Sequence, residues 1–256
     1  MMLHKKTLLA TLMVGATATA SAHGATLLAL GSDGALQHID TDTLEVTHNA
    51  EVQGATLLGI DVRPANGMVY ALGDDQHLYT LDPASGEATQ GVMLGEMLPL
   101  DGPLVLDFNP AADRLRLMAA DGTNFRVNVD TGEVAVDGTL GYAEGDEMPR
   151  VVTGAYTNSF DGTESTQLFN VDIGNGHLLL QDPPNDGVLQ DVGMITEGLE
   201  NASLDILSDG MGGNTAYLLT GMTLHVIDLD SGSPDTLGDI EGLEGEVLDI
   251  AVMHEM

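Results

Sequence analysis

A short sequence unit recurs five times along the chain and constrains the fold more than any other feature. Each copy is an alternating apolar run that ends in an aliphatic residue and an aspartate, as in "HLYTLDPASGEAT" at 77–89. Spacings between successive aspartates are 42, 48, 42 and 56 residues, which indicates a repeat architecture. The five aspartates are Asp40, Asp82, Asp130, Asp172 and Asp228.

The second copy shows what one unit contains. Residues 57–62, 68–72, 78–82 and 87–92 are short apolar or alternating runs, and the segments between them carry Pro, Asn, Gly and Ser. This pattern predicts four antiparallel strands joined by tight turns. One such unit cannot bury both faces alone, whereas copies arranged around an axis can. The sequence therefore predicts an all-β propeller.

The first-strand pattern sets the number of blades. It occurs in four segments, at 58–64, 104–110, 152–158 and 202–208, and once more at 246–252, with almost no chain after it. The N-terminal unit lacks a first strand. The two deficits predict a five-bladed β-propeller of four-stranded antiparallel blades. The ring is closed by pairing the C-terminal strand (247–252) with the N-terminal strand (26–30), which leaves no free sheet edge. Approximate blades are 23–54 plus 246–256, 55–100, 101–147, 148–198 and 199–245.

The first 22 residues have the pattern of a secretory signal peptide. A positive start at 4–6 precedes an uncharged apolar run at 7–20, and Ala20-Ser21-Ala22 is a small-residue cleavage site. We therefore expect cleavage after Ala22, a single domain at 23–256, and a periplasmic or extracellular location. No later run is long enough to span a membrane. The chain contains no cysteine, so no disulfide can form.

The charge of the exported part is strongly negative. It contains 40 acidic residues and five arginines, a formal charge of −35. Such a surface repels nucleic acid and anionic membranes. We interpret the acids as an adaptation to a salty, halophilic medium in which counterions screen them. Binding of Ca²⁺ is the alternative, although the acids are spread along the chain and do not form a calcium loop.

Several segments resemble a known family. They are "GIDVRPANGMVYALGDDQHLYTLDPASGEAT", "DFNPAADRLRLMAADGTNFRVNVDTGEVAVDG", "GAYTNS" at 154–159 and "DPPNDGVLQDVG" at 182–193. Together they resemble a bacterial secreted family known as domain of unknown function 4394, over nearly the whole chain after the leader. The resemblance implies a propeller-like fold and no assigned activity.

The third unit concentrates arginines in an acidic chain. Arg114 and Arg116 alternate along one strand, and Arg126 lies between Asn124 and Asn128 on the next. Alternation places each set on one face. Guanidinium groups capture carboxylate or phosphate, so the cluster is a candidate anion or carbohydrate-acid site. The alternative is ion pairing between blades to first-strand aspartates, with Asp107 and Asp113 as the expected carboxylates between Arg114 and Arg116.

Aspartates also recur in the first strands, which line the channel of a propeller. The fourth unit has Gly154-Ala155 instead. A ring of acids could hold a hard cation such as Ca²⁺. The alternative is that each aspartate accepts backbone N–H groups of a neighbouring blade or pairs with an arginine, and a feature repeated in every blade favours this architectural role. The four residues are Asp61, Asp107, Asp205 and Asp249.

The other aspartates and the histidines suggest little chemistry. The five repeat aspartates precede turns, so we interpret them as structural caps of turn N–H groups. The histidines lack the spacing of a zinc motif. His23, as a new N-terminus, would offer the amine and imidazole of a copper site, but no further ligand can be named.

The sequence therefore predicts a secreted, non-catalytic propeller that acts as a binding or scaffold module. There is no cysteine nucleophile and no G-x-S-x-G motif. We expect a monomer whose partner is a small ligand or a protein, with no required cofactor. The alternative function is a metal-dependent hydrolase or lyase that uses the channel carboxylates and the Arg116/Arg126 blade.

Overall fold

A computed structural model describes residues 24–145 and 147–253 of the chain. The predicted leader, its cleavage site, His23 and His254 lie outside the described residues. The described chain forms five sheets, antiparallel except for one short parallel pair, and one short 3₁₀ helix, Pro184–Asp186. No helix among the described residues is long and apolar enough to cross a membrane.

The strands follow one another closely, because Gly-, Asp- and Asn-rich turns end each run after at most seven residues. In chain order they are β1 (Thr26–Gly31), β2 (Ala35–Asp40), β3 (Glu45–Glu51), β4 (Leu57–Val62), β5 (Val69–Gly73), β6 (His77–Leu81), β7 (Ala88–Met93), β8 (Leu104–Asn109), β9 (Arg114–Ala119), β10 (Asn124–Val127), β11 (Val134–Val136), β12 (Gly141–Tyr142), β13 (Val151–Tyr156), β14 (Leu168–Asp172), β15 (His177–Gln181), β16 (Val188–Met194), β17 (Ser203–Ser208), β18 (Asn214–Thr220), β19 (Thr223–Ile227), β20 (Pro234–Asp239) and β21 (Val247–Met253).

The five sheets are the predicted blades. Blade 1 has the order β21-β1-β2-β3, blade 2 runs from β4 to β7, blade 3 from β8 to β11, blade 4 from β13 to β16, and blade 5 from β17 to β20. The first strands neighbour one another around a ring, in the order β4, β8, β13, β17 and β21, and β21 contacts β4 again. The prediction of five antiparallel blades is confirmed.

Closure of the ring also follows the prediction. β21 pairs antiparallel with β1, so that Thr26 lies opposite Met253 and Leu30 opposite Asp249. The first blade thus has one strand from the C-terminal end of the chain and three from the N-terminal end.

The apolar core is divided among the blade interfaces. Five clusters of buried apolar side chains each lie between two neighbouring blades. Both faces of the inner strands are therefore covered, which explains why β5 and β13 are buried along their whole length. Among the described residues, the cluster between blades 3 and 4 is the smallest, and polar side chains fill the rest of that interface.

Blade 4 departs from the other blades. The short strand β12, which sequence analysis assigned to the third blade, pairs in parallel with β16 as a fifth strand of blade 4. Residues 157–167 form a long connection between its first and second strands. In consequence Asp172 ends the second strand, β14, and not the third as predicted. The third strand, β15, leads instead into Asp182, whose N–H donates to Val188 O at 2.8 Å.

Candidate functional site

The innermost strand of each blade presents one edge to the channel. Its other edge pairs with the second strand, and no backbone pairing joins one blade's first strand to the next. N–H groups on the channel edge therefore need acceptors, because a buried unpaired N–H is costly. Side chains from the preceding blade supply these acceptors.

Four of the five acceptors are the predicted channel aspartates. In ring order, Asp249 accepts from Ile60 N at 3.0 Å, Asp61 from Phe108 N at 2.7 Å, Asp107 from Tyr156 N at 2.9 Å, and Asp205 from Val252 N at 2.5 Å. Each bond joins one blade to the next. Three of these aspartates also accept the N–H of the following residue, at 2.6–3.0 Å.

Thr153 is the fifth acceptor. Blade 4 has no aspartate in its first strand, and the Thr153 hydroxyl accepts from Leu204 N at 2.9 Å, which joins blade 4 to blade 5. The sequence repeat does not indicate Thr153. A hydroxyl replaces the carboxylate there, and Thr153 lies two residues before Ala155. The described ring therefore contains five side-chain bonds, one for each blade interface.

The channel carboxyls are buried without a cationic partner among the described residues. Burial raises the pKa of Asp61, Asp107 and Asp249 well above the usual carboxyl value, and charges on neighbouring carboxylates raise it further. Burial raises the pKa of Asp205 to about 6. The channel therefore retains protons at mildly acidic pH.

Three of the channel acids also lie close together. One carboxylate oxygen from each of Asp61, Asp107 and Asp205 lies within 4.8 Å of the other two. Within 24–145 and 147–253 this is the one group of three or more metal-ligating side chains so placed. Carboxylate oxygens suit hard cations. Both oxygens of Asp61 and Asp205 already accept backbone N–H groups, which leaves Asp107 with the less occupied carboxylate.

The arginine cluster lies at the interface between blades 3 and 4. Arg116 is fully buried, and its Nη1 donates to Asp137 Oδ2 at 2.6 Å. It also donates to the hydroxyl of Tyr156 and to side-chain oxygens of Asn124 and Asn185, at 2.8–3.1 Å. All three nitrogens of this guanidinium therefore have acceptors, two of which belong to blade 4.

Asp137 is shared by two arginines. Arg126, opposite Arg116 in the sheet, donates from Nε and Nη2 to the two oxygens of Asp137, at 2.7 and 2.8 Å. Burial alone would raise the pKa of Asp137, but hydrogen bonds from Arg126 and Arg116 outweigh it and hold the pKa below its usual value. The expectation that Asp107 and Asp113 partner Arg116 was wrong, because Asp107 accepts from blade 4 backbone and Asp113 pairs elsewhere.

The other members of the candidate ligand set, Asn124, Arg114 and Asn128, have different surroundings. Asn124 is buried beside Arg116 and donates to the carbonyls of Gly138 and Pro184. Arg114 donates to the carbonyl of Asp113 at 2.8 Å. Asn128 accepts the N–H of Asp130 at 3.0 Å in the turn after β10. The structure thus brings together Arg116, Arg126 and Asn124 and leaves Arg114 and Asn128 apart from them.

A second ion-pair group joins blades 2 and 3. Arg63 donates to Asp113 at 2.6 Å and to Asp130 at 3.1 Å. Its guanidinium also lies 5.8 Å from the centre of the Tyr70 ring. Sequence analysis did not single out Arg63, since its partners lie about 50 and 67 positions away.

The turn aspartates divide into three kinds. Asp40, Asp82 and Asp228 each accept two turn N–H groups at 2.8–3.0 Å. In blade 3 the strand β10 ends two residues early, so Asn128 has the position that these aspartates have in the other blades. Asp130 lies beyond that position and binds Arg63. Asp172 is fully buried and accepts from Gly174 N, Arg150 N and the Tyr142 hydroxyl.

Two histidines contribute to another interface. His38 and His48 lie opposite each other on β2 and β3 with ring centroids 5.1 Å apart. Their Nε2 atoms lie 2.8 and 2.9 Å from the carbonyls of Pro83 and Ala84 in blade 2. Both rings therefore join blade 1 to blade 2.

These features define a class of protein: a five-bladed β-propeller in which side chains from each blade bind the backbone of the next around a channel. The chain belongs to the family described as Domain of unknown function (DUF4394), whose model matches residues 35–251. A search of curated proteins found no match.

Similarity to one solved structure supports the fold. A structural genomics protein of unknown function from Bacteroides thetaiotaomicron VPI-5482 is 16% identical, with a TM-score of 0.55 over 91% of this chain and 65% of that one. This chain thus spans less than two thirds of that protein. A protein of unknown function from Bacteroides caccae is 12% identical (TM-score 0.44; 86% and 73% covered). The dihydro-heme d1 dehydrogenase NirN in complex with DHE is 14% identical (0.40; 86% and 44%).

Proposed function

We propose that the protein is an exported, non-catalytic propeller that acts as a monomeric binding or scaffold module for a small ligand or a protein. The observation that carries the proposal is the ring of bonds in the channel, where Asp249, Asp61, Asp107, Thr153 and Asp205 each accept a backbone N–H of the next blade. Groups with catalytic potential are thereby used to join the blades.

The arginine cluster supports the same conclusion. Arg116 is buried and donates to four side chains, and Arg126 makes two bonds to Asp137. An anion site needs donors that lack partners before the ligand arrives, and Arg116 has acceptors on all three nitrogens. The leader at 1–22 supports export, and the acidic composition argues against nucleic acid as a partner.

The experiment is a thermal-shift screen of the purified protein against metals, organic acids and sugars, because a ligand that binds the native state raises the melting temperature. Each ligand found is then tested with Arg116→Ala and Asp61→Asn. A binding module is expected to keep the ligand-induced shift in both variants, measured from each variant's own melting temperature.

The alternative, a metal-dependent hydrolase or lyase, requires the channel acids to hold a divalent cation. A melting temperature that rises with Ca²⁺ and loses this rise in Asp61→Asn would favour it. Chemical turnover of a ligand that disappears in the same variant would overturn the proposed function. A stable Arg116→Ala protein that loses an anion-induced shift would also contradict it, and would make the arginine cluster the binding site.

A further inference from the structure

Blade 4, which breaks the symmetry of the ring, carries a cavity on its outer part. The cavity has a volume of about 770 Å³ and lies between the extra strand β12, the strands β15 and β16, and the turn at 174–175. This volume is within the range of small-molecule sites. The position is also distinctive, because β12 gives blade 4 a strand that the other blades lack.

Apolar side chains contribute to the lining. Leu179 and Leu189 line the cavity and are themselves almost fully buried in the blade. The Tyr142 ring is held beside them, because its hydroxyl donates to the buried carboxylate of Asp172 and accepts from Asn175 Nδ2 at 3.4 Å. The apolar surface open to a ligand is formed by the partly exposed Tyr142 ring and the exposed side chains of Ala143 and Met148, with the two leucines packed beneath it.

Acidic groups form the polar part of the lining. Glu144 and Glu147 are exposed, and Asp191 accepts from His177 Nδ1 at 2.7 Å while most of its carboxylate remains accessible. Arg150 is the one arginine or lysine among the described lining residues. Three carboxylates against one guanidinium leave the lining negative, whether or not His177 carries a proton.

We propose that this cavity binds a small organic ammonium ion with an aliphatic body, the chemistry of alkyl amines and polyamines. The aliphatic body would lie on the Tyr142 ring, Ala143 and Met148. The ammonium would face Glu144, Glu147 and Asp191. The negative field of the whole molecule concentrates cations near its surface and disfavours organic anions. This inference rests on the proposed binding function and gives it a site and a ligand class.

The test separates this cavity from general attraction of cations to an acidic protein. Isothermal titration calorimetry at fixed ionic strength compares methylamine, propylamine and pentylamine, with pentanoate as the anionic counterpart. Burial of each added methylene in the cavity is expected to raise affinity about fourfold. Pentanoate is expected to show no binding. Binding that does not depend on chain length, pentanoate that binds as well as pentylamine, or no amine binding would overturn the proposal.

Matched variants locate the site. Glu144→Gln/Glu147→Gln is expected to weaken pentylamine binding about tenfold or more, since two nearby charges are removed. The control Glu133→Gln/Glu164→Gln makes the same charge change on exposed residues outside the cavity lining, and is expected to keep affinity within about twofold. Equal losses in both variants would overturn the proposal. If no amine binds but another ligand still raises the melting temperature of Asp61→Asn, the amine site is excluded. The proposed binding function then remains intact.

Discussion

Two sets of buried carboxylates lie in this propeller, and their partners differ. The channel aspartates accept backbone N–H groups and have no cationic partner among the described residues, whereas Asp137 accepts from Arg116 and Arg126. Both sets are removed from water. Yet the pKa of Asp61 and its channel neighbours is raised, and that of Asp137 is lowered.

The comparison shows that burial alone does not determine the charge of an acid. Neutral N–H donors compensate only part of the desolvation cost of a carboxylate, whereas two guanidinium groups more than compensate it. The channel is thus a region where protonation stabilises the fold, and the interface between blades 3 and 4 is a region where ionisation does.

The largest effect is expected from removing the ionised acid. Asp137→Ala leaves the buried guanidinium of Arg116 without its carboxylate and is expected to lower the free energy of unfolding by ~3–5 kcal/mol. Chemical denaturation at pH 7 measures it. Asp113→Ala is the control, because Asp113 is partly exposed and Arg63 keeps Asp130, so its cost should stay below about 1 kcal/mol. Similar costs for the two variants would contradict the comparison.

The next effect is a rise in stability on mild acidification. The folded-state pKa of the channel acids lies above the unfolded value of 3.8, so the native state binds more protons and stability falls as pH rises between the two values. For Asp205, with a pKa of about 6, the loss is on the order of 3 kcal/mol by neutral pH.

Below about pH 4 the sign reverses. Asp137 and Asp113 have lowered pKa values, so their contribution is lost as pH falls through their folded-state pKa. The free energy of unfolding should therefore be greatest near pH 4–5, as measured by denaturation at a series of pH values. Stability that increases steadily from pH 5 to pH 7 would show that the channel acids are ionised without cost.

A substitution of one channel acid should flatten this profile. Asp205→Asn retains an oxygen acceptor for Val252 N and carries no titratable proton, but its single oxygen cannot also accept from Ile206 N, which offsets part of the gain. We expect stability at pH 7 to equal or exceed that of the native protein, by up to about 2 kcal/mol, with little difference at pH 5. The same change at Asp137 should destabilise at both pH values. If Asp205→Asn were destabilising at pH 7 alone, the charge of this residue would be favourable.

The smallest dependence on pH is expected at the neutral member of the ring. Thr153→Val removes the acceptor for Leu204 N and should cost about 1–3 kcal/mol, because one buried N–H loses its partner. This cost should be the same at pH 5 and pH 7, since no charge is involved. Thr153→Ser, which keeps the hydroxyl, is the control. A cost that varied with pH would mean that Thr153 acts through its acidic neighbours.

Much of the fold could be predicted from the sequence, because strand periodicity and turn residues are local signals. The alternating runs located the strands of blade 2 within one residue, and the orphan first strand at 246–252 indicated closure. The strands of blade 4 were harder to predict. The motif ending at Asp172 imitates a third strand, and only the length of the 157–167 connection distinguishes it from the true position at Asp182.

The partners of charged residues were harder to predict, because ion pairs join residues that are distant in sequence. Asp137 lies in the outer part of blade 3, 21 positions from Arg116, and nothing in its local sequence sets it apart from many other acids. The alternative of aspartates accepting backbone N–H groups described the channel well. Thr153 fell outside the pattern, because the ring needs an oxygen at that position and not a charge.

The pairing of residue 26 with residue 253 determines the order in which the blades can be completed during folding. Blades 2 to 5 can assemble before the C-terminal strand is in place, but β1 has no partner on its channel side until β21 pairs with it. During that interval the first blade exposes an open edge that can pair with another chain. Because this contact spans nearly the whole sequence, we expect ring closure to be a slow, late step of folding. The interval before it should be the period of greatest vulnerability to aggregation and proteolysis.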